Sequence, residues 1–364
     1  MAKQTDSEKS LSGANARLDS VVSGIVSRIQ TKHSTVRMVI ILIVAFTFFT
    51  TLKPQVFLNP LNLQNIAIAS PEIGIIAIAM MLAMLTGGID LSIVAIANMS
   101  AITITTLYST LYASDPAAAM MYMPFIVLLG LVVGLLGGLL NGFLISLVGI
   151  TPILATLGSM QIFNGLAIVW TGGKTLYGAP EALTALGKSA IAGIPMLFLI
   201  FIAVAASITI IIDKTPLGIK VQLQGTNPVA ALYSGINPKT VLMSTYVIVG
   251  LLGGFAGIMF LARNPTASAD YGSSYVLLVI VIAVLGGTNP VGGFATVTGV
   301  VLATLTLQTV SSGFSAIRLS AYEYSLAQGT ILIGVMIVDQ VTLNRRQRTP
   351  LTKKALTVPK SVGK

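Results

Sequence analysis

LTGGIDLS (85–92) and LGGTNPVGG (285–293) each interrupt a run of apolar residues that would otherwise continue as a membrane-length helix. Glycine is unfavourable in a helix interior, and open backbone inside a bilayer is tolerated only where protein buries it or water lines it. The breaks at Gly87-Gly88 and Gly286-Gly287 therefore point to a pathway or gate in a membrane transporter.

The rest of the chain agrees. Of 364 residues, 54% are hydrophobic and 9% charged, and the mean hydropathy is +0.90, which fits an all-α integral membrane protein and no soluble domain. The +10 net charge is no nucleic-acid footprint. Its basic residues gather in segments 1–37 (Lys3 to Arg37) and 341–364 (Arg345 to Lys364), the pattern expected of cytoplasmic flanks on a bilayer with anionic lipid. With no cysteine and one histidine, His33, the chain has neither thiol chemistry nor a metal-ligand cluster.

About 20 apolar residues cross a bilayer, and on that measure ten spans are expected: 38–52 (an uncleaved signal anchor), 66–86, 92–112, 123–149, 153–170, 191–212, 241–262, 275–286, 293–312 and 325–340. The eighth is short and is expected to continue into its Gly-Gly break. An even count puts both termini on one side with the Lys-bearing segment 213–240, although Lys174, Lys188, Arg263 and Arg318 blur the contrast. Ahead of the first span, Leu18, Val21, Val22, Ile25, Val26 and Ile29 recur at helical spacing, which suits either an interfacial helix or a Ser-rich tail. Gly130, Gly134, Gly138 and Gly142 form an every-fourth-residue stripe, and Gly250, Gly253, Gly254 and Gly257 repeat it, so backbone-to-backbone packing is expected. The pentapeptide GLLGG occurs at both Gly134 and Gly250 and hints at duplication.

Ion-driven carriers need intramembrane carboxylates or histidines. Only Asp90 lies deep in a break, with Glu72 and Asp339 read near span ends. Neutral polar side chains are plentiful instead: Asn98, Asn141, Thr156, Ser159, Gln161, Asn164 and Gln308 are the candidates for a pathway. Amides and hydroxyls suit an uncharged polyhydroxylated solute, and they equally serve as interhelical hydrogen-bond glue. No nucleophile–base pair can be assembled within the spans, so an intramembrane enzyme is disfavoured. TGGKT at Thr171 lacks the first P-loop glycine, because position 168 is Ile168, and reads as a surface loop below Trp170. Between the sixth and seventh spans, PLGIKVQLQGTNPVAALYSGI (216–236) places a short helix after Asn227-Pro228 and stops it at Gly235, either a docking knob or a connector.

GGIDLS at Gly87, NGFLISLVGITPILATLGSMQIFNGLAIVWTGGK from Asn141, GTNPVAALYSGI from Gly225 and VLGGTNPVGG from Val284 resemble the ribose/xylose-type permeases of ATP-binding-cassette importers, within the branched-chain amino acid/ribose permease superfamily. The resemblance implies a permease dimer in the bacterial inner membrane, two cytoplasmic ATPase subunits carrying ATP and Mg, and a periplasmic solute-binding protein. It also implies that Gly225, Asn227, Pro228, Ala230, Ala231, Ser234 and Gly235 belong to a coupling helix seated on the ATPase, while this chain binds no cofactor of its own. Ile93, Val94 and Ala95 replace a common Val-Gly-Ser, and residues 276–281 lack the usual acidic residue and alanines, so the solute stays open. A stand-alone secondary transporter or channel, and a branched-chain amino acid permease, are the competing readings.

Overall fold

Helix starts are written in the sequence as a polar residue followed by proline: Asn59-Pro60, Asp115-Pro116, Thr215-Pro216, Asn227-Pro228 and Asn237-Pro238. In each pair the first side chain accepts a backbone N–H of the first turn and proline takes the position whose N–H needs no partner. The computed structural model describes residues 35–320 together with 322, 323, 326, 329, 330 and 333.

Its helices are α1 (Thr35–Leu52), α2 (Pro54–Phe57), α3 (Pro60–Leu85), α4 (Ile93–Ser114), α5 (Pro116–Phe143), α6 (Pro152–Thr171), α7 (Glu181–Lys188), α8 (Met196–Lys214), α9 (Pro216–Thr226), α10 (Pro228–Tyr233), α11 (Pro238–Arg263), α12 (Tyr275–Leu285) and α13 (Val297–Ala316). A π-turn at Leu144–Val148 extends α5 until Gly149, at φ 86°, stops it. Two short antiparallel ribbons complete the fold, β1 (Leu176–Tyr177) with β4 (Thr266–Ala267) and β2 (Ala190–Ile191) with β3 (Ile194–Pro195).

Among the described residues, eight helices are long and apolar enough to span: α1, α3, α4, α5 with its π-turn, α6, α8, α11 and α13. The all-α membrane class holds, and several boundaries move. The second span begins at Pro60, six residues before the apolar run, because Asn59 caps it there. The fourth begins at Pro116, capped by Asp115, so 116–122 is helix rather than connection. The sixth begins at Met196, since the β2–β3 hairpin occupies the residues before it. The eighth does not run into its break: α12 has 11 residues and ends at Leu285, where Gly286 and Gly287 turn the chain, the latter at φ 92°. The span expected at 325–340, the interfacial segment before residue 35 and the basic tail lie outside the described residues or almost entirely so.

α3 and α11 form the core of the bundle, while α5 and α6 turn broad apolar faces outward. The glycine stripes meet as expected. A β-carbon on Gly134 or Gly138 would strike the backbone of Gly250 or Gly254, and one on Gly250 would strike Gly134 and Gly138. The two GLLGG copies are thus each other's packing partners at the α5–α11 crossing, a sufficient physical reason for the shared pattern. The described residues from Leu319 onward belong to a second unit. It opens with a capping box in which Ser320 N–H donates to Glu323 Oε2 (2.6 Å) and Glu323 N–H to Ser320 Oγ (3.3 Å).

Candidate functional site

The first break folds into a closed polar network inside the bundle. α4 starts alongside Gly253 of α11 rather than at the bundle's end, and within 86–92 Gly88, Asp90 and Ser92 are buried while Gly87 is exposed. Asp90 Oδ1 accepts from Ser92 N–H (2.8 Å) and Ser92 Oγ (2.6 Å). The Asn141 amide donates to Ser92 Oγ (2.7 Å) and Asp90 Oδ2 (3.3 Å), and its own oxygen accepts from Ser159 Oγ (2.6 Å). Thr156 Oγ1 receives Leu91 N–H (3.1 Å) and donates to the Pro152 carbonyl (2.8 Å). Asp90, Ser92, Asn141, Thr156 and Ser159 are all buried. Four candidates from the sequence therefore join in one network that binds the break to α5 and α6, with no open face toward a pathway. The Tyr246 hydroxyl, buried beside Gly88, has no hydrogen-bond partner.

The second break closes onto the first. Asn289 shapes a tight turn, its amide donating to Gly292 O (2.9 Å) and its oxygen accepting Val291 N–H (3.1 Å). Gly293 N–H then donates to Leu85 O (3.0 Å), joining the end of α3 to the turn after α12. Gly225, near the end of α9, is wedged between them: a β-carbon there would collide with Leu85 O and Gly293 N. Gly292, at φ 102°, lies against Gly87 N and Gly225 O. Two breaks from opposite halves of the chain and the helix leading into α10 share one glycine-packed knot. Of the four gate glycines, Gly87 and Gly287 supply left-handed backbone, Gly88 faces Tyr246 and Pro152, and Gly286 closes against Gly299 and Val300 of α13.

α10 follows the knot in sequence, beginning three residues after Gly225. Asn227 caps it through Ala230 N–H (3.0 Å), Pro228 begins it, Ser234 Oγ donates to the Ala230 carbonyl (2.9 Å) and Gly235, at φ 79°, ends it. Ala230 is exposed, whereas Ala231 is buried within the chain. The outward apolar side chains are Val229, Leu232 and Tyr233.

A second polar cluster was missed at the sequence level. Glu72 is not near a span end. It lies twelve residues from Pro60 and thirteen from Leu85, at the midpoint of α3, and is buried. Arg263 Nη1 pairs with Glu72 Oε2 at 2.6 Å, and the Tyr271 and Tyr275 hydroxyls donate to Oε1 at 3.0 and 2.6 Å. Phe260, Tyr271 and Tyr275 stand in mutual ring contact, with centroids 4.8 to 6.4 Å apart. Asn98 joins from α4, its amide donating to the carbonyls of Ala269 (2.8 Å) and Tyr271 (2.9 Å), while its own oxygen is buried without a partner. The signal that could have found the cluster is the rule that charges within apolar spans seek one another.

The remaining candidates stand apart. Gln161 is exposed on α6, Asn164 is half-buried beside it, and Gln308 on α13 reaches the Ala69 carbonyl at 3.5 Å. TGGKT is the glycine-terminated end of α6, with Gly172 and Gly173 at φ 63° and 71°.

Residues 62–338 match the family of permease components of branched-chain amino acid transport systems. The chain is 32% identical over 286 residues to the ribose import permease of Bacillus subtilis, covering 78% of this chain and 86% of the relative. It is 28% identical over 301 residues to the D-allose transport system permease of Escherichia coli (83% and 90%). To the autoinducer 2 import system permease of the same species it is 28% identical over 316 residues (84% and 92%). No solved structure matches the chain.

Proposed function

This chain belongs to the family of permease components of branched-chain amino acid transport systems, and on that premise we propose that it is the membrane subunit of an ATP-binding-cassette importer for a neutral, sugar-like solute. The relatives named for ribose, D-allose and autoinducer 2 support the solute class and the inward direction. They are transport permeases rather than enzymes, and the chemical work falls to separate ATPase subunits holding ATP and Mg. A second permease subunit, the same or homologous, a periplasmic solute-binding protein and an inner-membrane setting with cytoplasmic termini complete the assembly.

The observation that carries the mechanism is the knot of Leu85, Gly225 and Gly293. Val229, Leu232 and Tyr233 give α10 an apolar docking face, and close-packed backbone transmits displacement instead of absorbing it. A push on α10 moves α9, and through Gly225 it moves both breaks together. The end bearing α9 and α10 carries Lys214, Lys220 and Lys239, which suits the cytoplasmic side. Arg263 ceases to be an exception on the opposite side because its charge is paired with Glu72.

Proteoliposomes test the reading. Solute uptake is expected only with the ATPase subunits, binding protein and ATP, and unchanged by an ionophore. Concentrative uptake by this chain alone, abolished by the ionophore, establishes a secondary transporter instead.

A further inference from the structure

We infer that residues 264–274, between α11 and α12, form a strap that shuts the outer end of the pathway and lifts to admit solute handed over by the binding protein. The inference rests on the permease reading and deepens it. α11 begins at Pro238, just after α10, and ends at Arg263, so the strap lies at the end of that helix away from the ATPase side. Its two ends are fixed. Ahead of it, Gly187 of α7 presses on the Ala262 carbonyl so closely that a β-carbon there would collide. Arg263 before the strap and Tyr275 after it both bind the Glu72 carboxylate, at 2.6 Å each. A surface loop whose ends meet on one side chain has the geometry of an Ω-loop, a form that frequently carries function.

The middle is held down by contacts that water can replace. Tyr271 donates its hydroxyl to Glu72 Oε1 (3.0 Å), and the Asn98 amide on α4 donates to the carbonyls of Ala269 (2.8 Å) and Tyr271 (2.9 Å). The strap's backbone pairs with the rest of the fold through the two-residue ribbon of β4 with β1, and β1 packs on α4. Asn264, Asp270, Ser273 and Ser274 are exposed along it, whereas Ala267 faces inward and is buried. Lifting the strap strands no charge, because Glu72 keeps Arg263 and Tyr275. It also hydrates Asn98 Oδ1, which is buried without a partner in the shut form. An unsatisfied buried acceptor is unfavourable, so its release brings the lifted form closer in free energy to the shut one.

The chain has no cysteine, so introduced thiols report on it cleanly. The complex, assembled with its ATPase subunits in phospholipid nanodiscs, is treated with a charged methanethiosulfonate reagent, and modification is read by the mass of this chain. Ala267→Cys is expected to react slowly, and adding Tyr271→Phe, which removes one hydrogen bond to a carboxylate, should speed the reaction about tenfold. Thr245→Cys, buried nearer the other end of α11, should stay unmodified in both backgrounds. A rate at 267 that Tyr271→Phe leaves unchanged, or an equal rise at 245, overturns the inference. A tether tests the same motion in transport. Tyr177→Cys with Thr266→Cys places thiols on facing residues of the β1–β4 ribbon, within reach of a disulfide. D-ribose, D-allose, D-xylose and D-galactose are offered to proteoliposomes holding the full complex, binding protein and ATP. Oxidation should abolish uptake of whichever sugar the reduced form carries, and dithiothreitol should restore it. Unchanged uptake with the disulfide confirmed by mass overturns the inference. The reduced form judges the permease reading separately: uptake of any of these sugars upholds it, and if none enters it fails while the thiol rates still decide on the strap.

Discussion

Asp90 and Glu72 are both carboxylates buried to the same degree, 1% exposed each, yet they occupy different kinds of surroundings. Every partner of Asp90 is itself buried and uncharged: Ser92, Asn141 and, one bond further, Ser159. Glu72 holds an arginine and two tyrosines that reach the open side of the bundle. Burial of a charge therefore does not by itself separate architecture from function. The exposure of its partners does, because a group whose donors are all sealed has nothing to exchange with a solute.

The largest effect expected from that contrast is at Asp90. Asp90→Ala strips acceptors from Ser92 N–H, Ser92 Oγ and the Asn141 amide in a sealed site, a loss above ~3 kcal/mol, and the permease should fail to accumulate in membranes. Asp90→Asn keeps one acceptor and should assemble and transport. Quantitative recovery of the complex in detergent checks both. An Asn variant that assembles normally with altered solute preference breaks the contrast.

Next in size is the glycine that links the two breaks. Gly225→Ala has no room beside Leu85 O and Gly293 N, and overpacking of this kind costs about 1 to 3 kcal/mol. The complex should still form, with ATP hydrolysis persisting while uptake falls. Gly235→Ala is the companion. Its surroundings are open, so only the left-handed backbone at φ 79° is strained, a penalty of about 1 kcal/mol, and coupling should hold. Uptake divided by ATP hydrolysed separates the two.

A smaller effect belongs to α10. Tyr233→Ala removes an 88% exposed ring and should weaken ATPase copurification without changing membrane levels of the permease. Ala231→Glu acts differently from what its place in the motif implies, because Ala231 packs inward. That variant should disrupt α10 itself, with protease cutting near Tyr233 as the readout.

How far these features were legible depends on whether their signal is local. The Gly-Gly breaks, the glycine stripes and the cap of Asn227 on α10 are written in contiguous residues, and each is found where the pattern places it. The Glu72 cluster is not. A window of apolar residues starts the second span at Ile66, whereas the Asn59-Pro60 cap starts the helix earlier and shifts Glu72 from an end to the middle. Its partners come from the end of α11, the following loop and α12, and no short-range pattern joins them. The meeting of Leu85, Gly225 and Gly293 was hidden for the same reason: three separate glycine-rich stretches could be read, but not that they touch.

The smallest difference expected within one helix, between Ser159 and Gln161, tests the same rule. Ser159 and Gln161 sit two residues apart on α6, and both were read as pathway candidates from residue type alone. Ser159 Oγ donates to Asn141 Oδ1 at 2.6 Å inside the sealed network, so Ser159→Ala leaves a buried acceptor unpaired, a loss of about 1 to 3 kcal/mol. Gln161 is exposed on the outward face, where substitutions fall within about 0.5 kcal/mol. Thermal unfolding of the purified complex should therefore shift downward for Ser159→Ala and stay unchanged for Gln161→Ala, with solute preference the same in both. A change of preference in the Ser159 variant at unchanged stability means that the Asp90 network does meet the solute, and the exposure of partners then loses its value as a guide.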